Sequence, residues 1–66
     1  MQNTLSALRQ DRGWSQQRLA DELGVSRQTI ISIERGRFDP SLPLAFRIAR
    51  LFETTIETVF EPDDAD

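Results

Sequence analysis

Residues 15–36 read SQQRLADELGVSRQTIISIERG. Ser15 is a strong helix N-cap, and Leu19, Ala20 and Leu23 follow at i, i+1, i+4 spacing, which predicts a helix over about 15–23. Gly24 is the glycine expected just past a helix end. Ser26 is a second N-cap, and it opens a predicted helix over about 27–35 that stops before Gly36. Two helices joined by only Gly24-Val25-Ser26 make the pattern of a helix–turn–helix. The second of them holds three isoleucines, Ile30, Ile31 and Ile33, and one helix face cannot bury all three.

On a wheel of ~100° per residue, Ser26, Ile30 and Ile33 share one side, with Thr29 at its edge. That side faces the core together with Leu23 and Val25. The opposite side carries Arg27, Gln28, Ile31, Ser32 and Arg35, with no acid among them. A solvated helix face usually mixes acids with bases. This set matches instead what a DNA major groove presents. Arginine binds guanine O6 and N7, glutamine binds adenine N6 and N7, serine suits donor or acceptor, and an apolar side chain meets the thymine methyl. Ile31 is therefore the isoleucine left outside. It either meets a thymine methyl or packs on a neighbouring loop or partner chain, and the wheel leaves both open.

Working outward, a first helix is predicted over about 4–12, with Leu5 and Leu8 inward and Gly13 as its stop. Downstream of Gly36, RFDPS is a turn, and Ser41 caps a fourth helix whose first turn tolerates Pro43. Ala45, Ile48, Ala49 and Phe52 form its apolar stripe. Thr54 and Glu57 have the T-x-x-E spacing of a capping box, opening a short helix from Ile56 to Phe60 that Pro62 terminates. No strand is predicted. The fold class is all-α, a compact bundle of five short helices, with residues 1–60 as one domain and residues 61–66 as a frayed acidic tail. Trp14, between the first two helices, reads as a core or boundary residue. Phe38 either plugs its turn or lies near a DNA backbone.

Composition narrows the functional class. The chain has 66 residues, no cysteine and no histidine. Disulfides are thereby excluded, and a zinc site or a His-based catalytic site is not expected. No apolar run approaches the ~20 residues of a membrane span, and the N-terminus has no signal-peptide core. A cytoplasmic location, no cofactor, no metal and no small-molecule ligand are expected. Net charge is −3. Four of the 11 acids lie in EPDDAD at 61–66, so residues 1–60 hold eight basic residues against seven acids. Every basic residue is arginine, the residue suited to bidentate contacts with phosphate and guanine.

The run WSQQRLADELGVSRQTIISIERGRFDPSLPLAFRIARLF resembles the Xre/Cro, phage-repressor-type helix–turn–helix family, and in particular its short stand-alone regulators. The resemblance covers about residues 4–60. It rests on S-Q-x-x-L-A from Ser15, L-G-V-S-R-Q-T-I across the turn, I-E-x-G at Ile33 and D-P-S-L at Asp39, in order and at these spacings. It implies a lambda-repressor-like DNA-binding domain whose recognition helix, 27–35, lies in the major groove. By position, Arg27, Gln28 and Ser32 match base-reading residues, and Ile31 occupies a neighbouring outward position. Ser15, Gln16, Arg35, Arg37 and Ser41 match the phosphate-contacting surface, where helix N-termini also contribute N–H groups. Arg9 and Glu34 match a structural salt bridge. Two departures stand out. Ile31 replaces a frequent serine, and the loop after the recognition helix is less basic than is usual.

The expected function is sequence-specific binding of double-stranded DNA, with repression of transcription by a homodimer on a near-palindromic operator. So small a domain buries only about 60% of its unfolded surface, which favours a partner copy. Phe46, Leu51, Ile56, Val59 and Phe60 are the apolar residues available for that interface. No separate sensor domain is expected in 66 residues. An antitoxin-like module that grips another protein is the competing reading, and a fragment of a larger DNA-binding protein is a third. An enzyme is not expected.

Overall fold

Four hydroxyl side chains set where helices begin. Ser15, Ser26, Ser41 and Thr55 each accept a hydrogen bond from the backbone N–H three residues on, at Arg18, Thr29, Leu44 and Thr58. Each such cap contributes about 1 kcal/mol by satisfying an otherwise orphaned donor. The computed structural model describes residues 1–62. Its elements are β1 (Gln2–Asn3), α1 (Leu5–Asp11), α2 (Gln16–Leu23), α3 (Arg27–Glu34), α4 (Leu42–Leu51), α5 (Ile56–Val59) and β2 (Phe60–Glu61).

Leu5, Leu19, Leu23, Ile30, Ile33, Ile48 and Val59 are the largest fully buried side chains, one or more from each helix. Together they form a single apolar core. Gly24 adopts a left-handed backbone, φ 69°, where a Cβ would be strained. That residue ends α2 and turns the chain into α3. Trp14 sits at the boundary: its ring lies 5.9 Å from that of Phe52, between the guanidinium groups of Arg12 and Arg18.

The structure corrects the sequence reading in four places. First, β1 and β2 pair antiparallel, Gln2 with Glu61 and Asn3 with Phe60. Strands of two residues show no alternation to read. This pairing also takes Glu61 out of the predicted frayed tail; residues 63–66 of that tail lie outside the described residues. Second, the cap of α5 is Thr55, not Thr54. Thr54 instead donates its N–H to Ala49 O, closing α4, while Glu53 takes a left-handed φ of 54°. Third, Ser26 is exposed, because its hydroxyl caps α3 from outside the core. Fourth, Val59 and Phe60 are only 1% and 5% exposed and belong to the core, so neither projects from the surface as a dimer-interface side chain.

Candidate nucleic-acid interface

Glu34, the last residue of α3, is where three helices meet. Arg9 on α1 donates from Nε to Glu34 Oε2 at 2.7 Å and from Nη2 to Oε1 at 3.2 Å. Gln16, the first residue of α2, donates from Nε2 to the same Oε1 at 3.2 Å. The third guanidinium nitrogen of Arg9 reaches Trp14 O at 2.8 Å. The Arg9 and Glu34 side chains are only 11% and 7% exposed. A planar, bidentate pair in this setting sets the angle between α1 and the end of α3.

Two further contacts hold the helix–turn–helix, one on α3 and one on α2, and neither was visible in the sequence. Asn3 donates from Nδ2 to Ile33 O at 2.8 Å, while its Oδ1 accepts from Leu5 N at 3.1 Å. One side chain thus ties the start of α1 to the end of α3. Arg47 on α4 donates to Leu23 O, at the C-terminal end of α2. These partners lie 30 and 24 residues apart, and a single sequence carries no local signal for them.

The outward side of α3 is different in kind. Arg27 and Gln28 are exposed, and Ile31 and Ser32 are half-buried. Arg35 and Arg37 follow, both exposed. Arg27, Gln28, Ser32, Arg35 and Arg37 make no side-chain hydrogen bond or ion pair among the described residues. Other arginines are engaged: Arg9 with Glu34, Arg18 with Glu22, Arg47 with Leu23 O, and Arg12 over two aromatic rings. Arg50 on α4 is the remaining unengaged one among those residues. Three of the four unengaged cations therefore lie on α3 or immediately after it.

The loop after α3 is held against it. Arg37 and Phe38 both donate their backbone N–H to Ser32 O, at 3.0 and 3.3 Å. Asp39 lies 3.6 Å from the Met1 amino group, which offsets its charge within this loop. Ser15 and Ser41 use their oxygens as helix caps and keep the hydroxyl proton for a further acceptor. Gln16 likewise retains a second amide hydrogen.

A three-residue link between α2 and α3, with an acid-free outward face on the second helix, defines a DNA-binding helix–turn–helix. Comparison with known proteins agrees. The model of the helix–turn–helix family HTH_3 matches residues 5–59. An uncharacterised HTH-type transcriptional regulator of Methanocaldococcus jannaschii is 52% identical over 64 residues, with 97% of each chain covered. The HTH-type regulator YgzD of Bacillus subtilis is 43% identical over 60 residues, 91% of each. Among solved structures, the hypothetical transcription factor NHTF from Neisseria superposes with a TM-score of 0.73 at 26% identity, covering 82% of this chain and 61% of that one. The chain belongs to the Xre/Cro-type helix–turn–helix family, a family of DNA-binding transcriptional regulators. No helix among the described residues is long and apolar enough to cross a membrane.

Proposed function

We propose that this protein is a sequence-specific repressor that binds a near-palindromic operator as a homodimer. The observation that carries the reading is the cluster of unengaged donors on and just after α3, beside arginines elsewhere that are engaged within the fold. Arg27, Gln28 and Ser32 read base edges, and Ile31 meets a thymine methyl. Ser15, Gln16, Arg35, Arg37 and Ser41 contact phosphates, aided by the N-terminal N–H groups of α2 and α4. Bound across a promoter, such a dimer excludes the transcription machinery.

The dimer half of the reading draws on α4. Leu42 and Phe46 are 64% and 49% exposed. With Arg50 they stand at i, i+4 and i+8, one stripe of the helix. Beside the stripe lies a groove of about 430 Å³ whose lining includes Leu42, Ala45, Ile56, Phe60, Glu57 and Glu61. An apolar stripe ending in a cation, next to an apolar groove bearing two acids, suits a twofold contact in which each copy supplies both halves. Phe46, Ile56 and the half-buried Leu51 are the remaining sequence-derived candidates, and Leu42 joins them.

Selection of the full chain against random duplex DNA at about 0.1 M salt tests both halves. An enriched inverted repeat, with half-sites about one helical turn apart, is the expected result. Enrichment of a single half-site would remove the dimer from the reading. No enrichment would remove DNA reading itself and transfer the groove to a partner protein.

A further inference from the structure

A small cleft of about 180 Å³ opens between α3 and the loop that follows it, lined by Ser26, Gln28, Thr29, Ser32 and Phe38. Phe38 is 49% exposed, an uncommon state for an aromatic ring beside a polar helix face. Its place is set from behind, since its own N–H and that of Arg37 are both bound to Ser32 O. The backbone that carries the ring is therefore held next to two residues, Gln28 and Ser32, to which the proposed function gives base contacts.

The chemistry of the lining says what it takes. No ionisable side chain lines the cleft, so a phosphate would find no cation in it. The hydroxyls of Ser26 and Thr29 are 2.8 Å apart and bonded to each other, and Ser26 Oγ also accepts from Thr29 N. They partly satisfy each other, which leaves a single hydroxyl proton of the pair for a ligand. Gln28 and Ser32 keep their polar atoms for a base edge, and the Phe38 ring is the apolar surface beside them, so an uncharged group with an apolar part fits the lining. In the major groove, the apolar group on a base edge is the 5-methyl of thymine.

We propose that this cleft receives the 5-methyl group of one thymine per half-site, with Phe38 as its wall. Phe38 is then a specificity-determining residue outside the recognition helix. The inference rests on the DNA-reading function proposed above and adds a base preference to it. Burial of one methyl group corresponds to roughly a four- to tenfold change in affinity.

The test replaces each thymine of the selected operator by deoxyuridine, one at a time, and measures affinity for the native chain, Phe38→Ala and Phe38→Leu. For the native chain, one thymine per half-site should show a four- to tenfold loss without its methyl. For Phe38→Ala, loss of that same methyl should change affinity less than twofold, and Phe38→Leu should fall between. Any thymine read by Ile31 keeps its methyl effect in both variants. If Phe38→Ala fails to fold, the native chain against Phe38→Leu decides. Should affinity fall in the variants while every methyl effect persists, the ring touches deoxyribose and the proposal is overturned. Equal affinity of native and variant chains for the operator overturns it too, while leaving the regulator reading intact. Failure of the native chain to select any sequence overturns both.

Discussion

Arg9 and Arg27 carry the same guanidinium into different surroundings. Arg9 spends its three nitrogens on Glu34 and Trp14 O, and Arg27 has no partner among the described residues. A cation whose hydrogen-bonding sites are satisfied inside the fold is structural, and one held out on a rigid helix is available to a ligand. Arg27→Ala should therefore cost about 1–3 kcal/mol on the preferred operator and relax one base position, read by repeating the selection. Arg37→Ala should behave otherwise. It should weaken all sequences alike and flatten the salt dependence of binding by about one unit, measured by titration across salt concentrations. An equal loss on every sequence for Arg27 would reassign it to phosphate, and an unchanged slope for Arg37 would remove it from the interface. At this scale the helix wheel was informative, since Ile30 and Ile33 are fully buried and Ile31 is not. The T-x-x-E spacing of Thr54 and Glu57 placed the cap of α5 one residue early, because two adjacent threonines offer the same chemistry and only the tertiary path selects Thr55.

Among elements, α3 depends on contacts at both ends. Ser26 caps its start, and Glu34, Asn3 and the loop N–H groups hold its finish. Glu34→Ala leaves the Arg9 guanidinium without its carboxylate in a nearly closed site. The expected cost is about 3–5 kcal/mol, a large share of the total for a domain this small. Urea unfolding should show the midpoint falling sharply with little change in slope. A loss below about 1 kcal/mol would show that the pair does not govern the helix angle. The five helices were legible because their punctuation is local: a hydroxyl at each start of α2, α3 and α4, and glycine after α2 and α3. The end of α4 was less so, since Glu53 occupies the left-handed position that glycine usually fills. Asn3 and Arg47 escaped notice because their partners are carbonyl groups far along the chain, and any residue can supply a carbonyl.

For the whole molecule, the question is where the unused apolar surface goes. Two of the five sequence-derived interface residues, Val59 and Phe60, close the monomer core, and Phe46 and Leu42 stand out from it. Counting apolar residues in the last two helices could not separate these roles. Burial depends on how α5 folds back against α4, and that path follows from a ribbon the sequence did not reveal. Phe46→Glu places a charge on the proposed contact and leaves the core untouched. It should give a folded monomer by sedimentation equilibrium, at concentrations where the native chain is dimeric, and bind half-sites in place of the full operator. A variant that stays dimeric would locate the interface elsewhere.

The two-residue ribbon joining Gln2–Asn3 to Phe60–Glu61 also bears on the order of events during folding. It closes nearly the full length of the described chain for very few hydrogen bonds, so it cannot precede the helices it clasps. Its outer pair, Gln2 with Glu61, is exposed and opens locally at low free energy, whereas Phe60 is seated in the core. Asn3 rides on that clasp and holds Ile33 O. Unlatching the chain ends therefore removes one of the ties on the end of α3, while the Arg9–Glu34 pair and the loop N–H groups keep that end in place.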